Sequence, residues 1–195
     1  MTVVALRALE VRDEYTLTAL IERNKSFLRG WVPAGDSSDD ENAAWVRTLI
    51  SERGIGDKWF GVVEFDGEVV GALSMKVQHG FISSGSLGYW VSQHVNRKGI
   101  ATEAIRLSLD LAFWEMGLHR VEAFVREDNH GSRRALEKNG FRRVGLSHGH
   151  MHIGGQWWDM IYFQKIAPWD DGVRTTPSLS GRPASTDDAA DSPIR

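Results

Sequence analysis

The chain has 195 residues, 42% of them hydrophobic and 25% charged, with a formal net charge of -3 and no cysteine. That length is most simply one domain able to bury a core unaided. The slight acidity is not the footprint of a generic nucleic-acid binder, and the missing cysteine excludes disulfides, thiolate metal sites and cysteine nucleophiles together. In chain order, "VVALRAL" (3–9) reads as a strand. From Arg12 to Phe27 the apolar residues Tyr15, Leu17, Leu20, Ile21 and Phe27 recur broadly at helical spacing. Ser38-Asp-Asp-Glu41 is a capping box opening a second helix that Gly54 would end. "KWFGVVEF", Asp66-Gly67 and "EVVGALSMKV" form a hairpin on a tight turn. "SLGYWVSQ" (86–93) is a strand that runs through a basic loop into a helix over 100–116, ended by Gly117. "HRVEAFV" is a strand, "GSRRALEKNG" a short helix and "FRRVGLSHGHMHI" a strand, which Gly154-Gly155 turns into "QWWDMIYFQKI". The order β-α-α-β-β-β-α-β-α-β-β belongs to the α/β or α+β class, with a mixed sheet.

From residue 167 the composition changes. The last 29 residues hold four of the five prolines and only isolated apolar side chains, too few to offset their ordering entropy. The expected organisation is one domain over 1–166 and a disordered tail over 167–195. No basic region followed by an apolar run opens the chain, and no stretch approaches a membrane span. The expected location is the cytoplasm.

The chemistry is concentrated in 86–141. "VNRKGIATEAIR" carries Arg97, Lys98 and Gly99 to the first turn of a helix. Helix starts offer unpaired N–H groups and partial positive charge, and are natural seats for phosphate. Gly99 permits close backbone approach, and Thr102 adds a hydroxyl. A single glycine rules out a G-x-G-x-x-G dinucleotide fingerprint, and no Gly-Lys-Ser/Thr follows as a P-loop requires.

This loop resembles the acyl-coenzyme A pyrophosphate loop of the GNAT acetyltransferases, Gln/Arg-x-x-Gly-x-Gly/Ala, here Asn96-Arg97-Lys98-Gly99-Ile100-Ala101. Asn129, Ser132 and Glu137-Lys138-Asn139-Gly140-Phe141 are similar to the Asn-x-x-Ser and Glu-Lys-x-Gly-Phe hallmarks of its RimJ/RimL branch. "RNKSFLRGWVP" and "GGQWWDMIYFQ" resemble that branch's early tryptophan segment and closing hairpin. The resemblance implies a mostly antiparallel sheet, splayed between its two central strands, with helices on both faces. It implies that backbone around Trp90, Val91 and Ser92 pairs with the pantetheine arm and that N–H groups of Arg97, Lys98, Gly99, Ile100, Ala101 and Thr102 hold the pyrophosphate. Asn129 would bind pantetheine and Ser132 would lie near the thioester sulfur. Lys98, Arg133 and Lys138 are candidates for the adenosine phosphates, and Trp31 for the acceptor pocket. The implied activity is acetyl transfer from acetyl-CoA to a primary amine, on a protein N-terminus such as a ribosomal protein's or on a small molecule. A homodimer, common in the branch, is carried as an expectation; direct nucleic-acid or membrane partners are not. The rivals are another acyl donor such as succinyl-CoA, a non-catalytic acyl-CoA sensor, and a nucleotide-binding module. Two positions depart from the pattern: Asn96 stands where Gln or Arg is usual, and Arg97 where glycine is common. The effect of the second depends on whether φ there is positive.

Direct transfer needs an uncharged amine close to the thioester carbon and stabilisation of the leaving thiolate. Relatives often carry a carboxylate where this chain reads "SHGHMHI", yet no Asp or Glu lies between Phe141 and Gln156. Strand alternation would put His148, His150 and His152 on one face, each about 6.5–7 Å from the next. Three along a straight strand share one metal poorly, and no outside ligand presents itself, so no metal site is expected. A histidine's ordinary pKa suits it to take the amine's proton; His152 is preferred as base, then His150, for their nearness to the hairpin end. Asp159 is read as satisfying a buried donor. Trp59, Trp90 and Trp114 are read as core.

Overall fold

A computed structural model describes residues 3–52 and 57–169. Gly54 and most of the expected tail lie outside the described residues. The elements are β1 (Val4–Ala8), α1 (Glu14–Leu28), α2 (Asp39–Glu52), β2 (Lys58–Phe65), β3 (Glu68–Gln78), β4 (Ser84–Val91), α3 (Ile100–Asp110), β5 (Arg120–Arg126), α4 (His130–Lys138), β6 (Arg142–Ile153) and β7 (Gln156–Ile166). α3 continues as one π-helical turn over Leu111–Glu115, in which the Met116 N–H reaches back to the Leu111 carbonyl. The order matches the sequence reading.

Local chemistry accounts for several boundaries. Ser38 and Glu41 form the reciprocal capping box: the Glu41 N–H donates to Ser38 Oγ, and the Ser38 N–H to Glu41 Oε2. Asp66 and Gly67 both have positive φ (52° and 84°), as do Gly154 and Gly155 (60° and 82°). These are two-residue turns whose twist matches the strands they join.

The seven strands lie in the order β1-β2-β3-β4-β5-β7-β6. Every neighbouring pair is antiparallel except β4–β5, which is parallel. The central strands are buried on both faces, so β3 reads as a nearly continuous apolar run. Its alternate residues serve different cores. Ala72 packs with Leu17, Ile21, Val46 and Leu49 of α1 and α2. Leu73 and Met75 pack with Ile105, Leu109, Leu136, Ile161 and Phe163 on the α3/α4 side. Trp90 is half-buried against the first cluster, and Trp59 and Trp114 against the second. The fold also runs past the expected boundary. Ala167 is buried with its N–H on the His119 carbonyl, and Trp169 Nε1 donates to the Phe113 carbonyl, so 167–169 close the α3/α4 core.

Gly71 fixes how closely β3 and β4 approach. It lies opposite Val91, and a Cβ there would come 2.3 Å from the Trp90 carbonyl oxygen and 3.0 Å from Val91 Cα. Both neighbours are backbone and cannot swing aside. Gly71→Ala should therefore destabilise the protein by about 1–3 kcal/mol, read as an earlier midpoint in urea unfolding with an unchanged slope. An unmoved midpoint would show that the strands relax freely.

Candidate active site

The parallel pair β4–β5 is short. Ser84, Gly85 and Ser86 pair with Arg120, Val121 and Glu122, and there the ladder ends, although β4 runs on to Val91 and β5 to Arg126. Beyond Ser86 the two strands part, and the edge of β4 that faces β5 has no strand beside it. Backbone amides on such an edge require partners, and an extended ligand carrying amides can supply them. β4 then leads through a turn at Gln93–Val95 into the basic loop.

That loop bends twice through left-handed backbone, at Arg97 (φ 64°) and Gly99 (φ 81°). Gly99 is the N-cap of α3 and contributes no side-chain cap, so the helix's first N–H groups face outward. Arg97 holds a conformation that favours glycine, which carries a strain of about 1–2 kcal/mol. Ile100 is buried and anchors the turn, Ala101 and Thr102 are half-buried, and the Thr102 carbonyl accepts from Asn139 Nδ2 at 2.9 Å. The Lys98 ammonium lies 5.7 Å from the Phe65 ring centroid.

Ser92 faces away from the cleft. Its N–H donates to the Val70 carbonyl, its carbonyl accepts from Val95, and its hydroxyl donates to Asn24 Oδ1 at 2.8 Å. The Gln93 N–H reaches the same oxygen, while Asn24 Nδ2 donates to Leu20. Since the one Ser92 proton goes to Asn24, His94 Nδ1, 2.8 Å away, must donate to Ser92. Of the three residues expected to pair with a ligand, Trp90 and Ser92 turn their backbone groups toward β3, and Val91 between them faces the open edge. Ser92 instead ties the loop to α1.

Across the cleft, Asn129 caps α4, its Oδ1 accepting the Ser132 N–H at 3.1 Å and its amide NH2 left as a donor. The Ser132 hydroxyl lies 2.7 Å from the Tyr89 hydroxyl, and burial pushes that phenol's pKa up to about 12. Arg133 Nη1 donates to the Glu127 carbonyl, whereas its buried Nε has no protein partner. Lys138 is exposed in the last turn of α4, where a cation suits the helix end.

The opposite face of β5 and β7 carries a second constellation. The Arg126 guanidinium is sandwiched between the rings of Trp31 (4.5 Å to the centroid) and Trp158 (3.5 Å). It donates to the Gly30 carbonyl at 2.6 Å and to both oxygens of Asp128. One cation thus joins the α1–α2 connection, β5 and β7. Beside it Phe124 stacks on Tyr162 at 5.0 Å and on His150 at 3.9 Å.

The three histidines do not share a face. Ser147 pairs with Met160 and Met151 with Trp158, so His148, Gly149 and His150 together oppose Asp159 in a bulge. Gly149 makes the bulge with φ of 53°, and its N–H donates to Asp159 Oδ1. His148 is exposed and pairs with Asp159 Oδ2, which stays ionised well below the usual carboxylate range through these two bonds. Asp159 is itself exposed and satisfies an exposed donor, not a buried one. His152 lies beside Trp157, on the face away from Trp158 and Arg126. Only His150 turns toward the Phe124–Tyr162 stack, half-buried, with Ser147 Oγ 3.0 Å from its Nδ1. Burial lowers its pKa. Of the two histidines preferred as base, His150 thus lies on the aromatic wall and His152 off it. Among the described residues no cluster of three metal-ligating side chains forms.

Sequence reading missed Arg126, Tyr89 and Asn24. Tyr89 was within reach, because alternation puts it opposite Trp90; Arg126 and Asn24 gave no local signal. Strands that part beside a helix-start loop make a cleft suited to an extended ligand that carries amides and phosphate. The family model described as "Acetyltransferase (GNAT) domain" matches residues 4–142, and the chain belongs to that family. It is 33% identical to the probable N-acetyltransferase YjcK of Bacillus subtilis, over 86% of this chain and 96% of that protein. It is 27% identical to the [ribosomal protein uS5]-alanine N-acetyltransferase of Escherichia coli, over 87% and 91%. A structure of Mycobacterium smegmatis RimJ in complex with CoA-disulfide superposes with a TM-score of 0.78 at 32% identity, covering 84% of this chain and 82% of that one. The protein is an N-acetyltransferase of the GNAT type.

Removing the sandwiched cation would leave the Gly30 carbonyl and Asp128 without their donor and the two indoles without their filling. Arg126→Ala should lower the unfolding free energy by about 2–3 kcal/mol, measured by urea denaturation. Arg126→Lys should recover less than half, since an ammonium neither forks nor stacks. A loss within about 0.5 kcal/mol, the scale of an ordinary surface substitution, would show that the clamp carries little.

Proposed function

We propose that the protein transfers acetyl from acetyl-CoA to the primary amine of a protein or peptide N-terminus. The observation that carries this reading is the parting of β4 from β5 beside the Arg97–Thr102 loop. An extended pantetheine arm would complete the β4 ladder over residues 87–91 through the backbone groups that alternate away from β3, Val91 among them. Its pyrophosphate would rest on the N–H groups from Arg97 to Thr102, with Arg97 and Lys98 adding charge. The amide NH2 of Asn129 is free for the arm, and the unpartnered Arg133 Nε suits an anionic or carbonyl oxygen.

The chemistry asks two things of the side chains. The amine nitrogen attacks the thioester carbon, the N–C bond forms, the C–S bond breaks, and a proton lost by nitrogen is matched by one gained at sulfur. Ser132 keeps its proton and hydrogen-bonds to the departing thiolate, which takes up its own proton from water. His150, kept neutral by burial against Phe124, accepts the amine's proton directly or through water. The acceptor would lie along Trp31, Phe124 and Trp158. Of the carboxylates on that side, Glu122 pairs with Arg120 and Asp128 with Arg126, while the exposed Asp36 beside the Gly154 turn accepts the Gly30 N–H. The relative named a [ribosomal protein uS5]-alanine N-acetyltransferase supports a protein N-terminus as the acceptor.

A CoA-release screen over N-terminal peptides, ribosomal ones included, and small amines tests the acceptor, with succinyl-CoA as a parallel donor. Turnover confined to polyamines would overturn the N-terminal assignment. The absence of CoA release with every amine, despite a melting-temperature rise on acetyl-CoA, would replace catalysis in this reading by sensing.

The base can be tested by pH. A protonated imidazole cannot accept, so kcat/KM should fall on the acidic side, around a pKa below the ordinary histidine value because His150 is partly desolvated. The sign for stability is the same: the unfolded chain takes up that proton first, so stability drains as pH drops from the ordinary value toward the lowered one. His150→Gln should reduce kcat at least about tenfold and remove the acidic limb at the lowered histidine pKa, leaving only the fall that protonation of the amine itself imposes, while His152→Ala changes kcat less than about twofold. An intact limb in His150→Gln would remove it from the mechanism.

A further inference from the structure

Tyr89 occupies the point where the sheet opens. Along β4 its side chain alternates with Trp90, which packs toward α1 and α2, while Tyr89 packs toward α4. At this position β4 has already left β5, so the phenol spans the opening to the first turn of α4. Its hydroxyl oxygen lies 2.7 Å from Ser132 Oγ and 3.4 Å from the Ser132 carbonyl oxygen.

Two hydroxyls hold two protons, and the geometry apportions them. Only the 2.7 Å contact has the length of a good O–H···O bond; 3.4 Å does not. If Ser132 donated to Tyr89, the phenol proton would be left with the long contact as its only acceptor. If Tyr89 donates to Ser132 Oγ, the short bond is made by the more acidic hydroxyl and the serine proton is released for another acceptor. Burial keeps the phenol protonated far above neutral pH, so it can act only as a donor or neutral acceptor here. The serine backbone is fixed as well, because its N–H is held by Asn129 Oδ1. The hydroxyl therefore has one orientation set from each side.

We propose that Tyr89 is a positioning residue that occupies the acceptor side of the Ser132 hydroxyl and so turns the serine proton into the cleft, toward the leaving sulfur. The proposal rests on the reading of Ser132 as the donor to that sulfur. Tyr89 transfers no proton itself. It removes the alternative rotamers in which Ser132 would point its proton at protein, an effect on the transition state more than on cofactor binding.

The test is a double-mutant cycle on the full chain with Tyr89→Phe, Ser132→Ala and the pair. CoA release from acetyl-CoA is followed with the best amine of the screen, and with water as an acceptor that is always present. Tyr89→Phe should lower kcat about five- to tenfold and Ser132→Ala on the order of tenfold to a hundredfold. The affinity for CoA by calorimetry should stay within twofold in both, and the melting temperature reports any loss of fold. Because Tyr89 acts through Ser132, adding Tyr89→Phe to Ser132→Ala should change kcat less than about twofold. Effects that multiply in the double variant, or a Tyr89→Phe enzyme with normal kcat, would overturn the proposal. A normal rate in Ser132→Ala alone would overturn it differently, by removing the donor on which it rests.

Discussion

The whole site depends on the early end of the β4–β5 ladder. A parallel pair that continued from Ser86 to Val91 would satisfy its own backbone and leave no cleft. Opening it exposes backbone that costs free energy unless something completes it. The parted strands are held by contacts that do not close the gap. Tyr89 bridges to α4 through Ser132, and Asn139 bridges α4 to the first turn of α3 through the Thr102 carbonyl. Gly71 lets β3 hold the far side of β4 at close range. The opening is thus wedged and braced at once.

The two faces of the opened sheet divide the work. On the α3/α4 side lie the helix-start loop, Asn129 and Ser132; on the other lies an aromatic wall organised by one cation. Arg126 does for that wall what a ladder hydrogen bond does elsewhere, joining segments about a hundred residues apart in sequence. An arginine suits the place because its plane can stack on two indoles while its edge serves a carbonyl and a carboxylate. Trp31 is thereby fixed to β5 and β7 although it sits in a connection between helices.

Much of this was legible in the residues. The order of elements, both two-residue turns and the Ser38–Glu41 box follow from local chemistry, and local chemistry decided them. The split of β3 between two cores is also written in its unbroken apolar run. What was not legible depends on distant partners. Val91 and Phe124 look alike whether their strands pair or part, since both conditions bury apolar side chains. The histidine face was misjudged because alternation was carried through Gly149. A glycine inside a strand is the one signal that a bulge can reverse the pattern. Asn24 gave no warning either: a buried asparagine in a helix acquires meaning only once Ser92 and Gln93 arrive beside it. The backbone at Arg97 is a different case, since the sequence posed the question of positive φ and only coordinates could answer it.

Burial also explains why two titratable groups on opposite faces of the sheet stay neutral. Desolvation disfavours the charged form of any group, whichever sign it takes. For His150 that charged form is the imidazolium, so burial lowers its pKa and favours the neutral ring. For Tyr89 it is the phenolate, so burial holds the hydroxyl ready to donate. A neighbouring carboxylate would raise the imidazole's pKa and oppose the effect of burial. The carboxylate that does lie opposite in β7, Asp159, is drawn off to the Gly149 N–H and to His148 by the bulge. The bulge therefore does more than re-aim a side chain: it gives the acid to His148 and leaves His150 against the Phe124 ring, which supplies no charge at all.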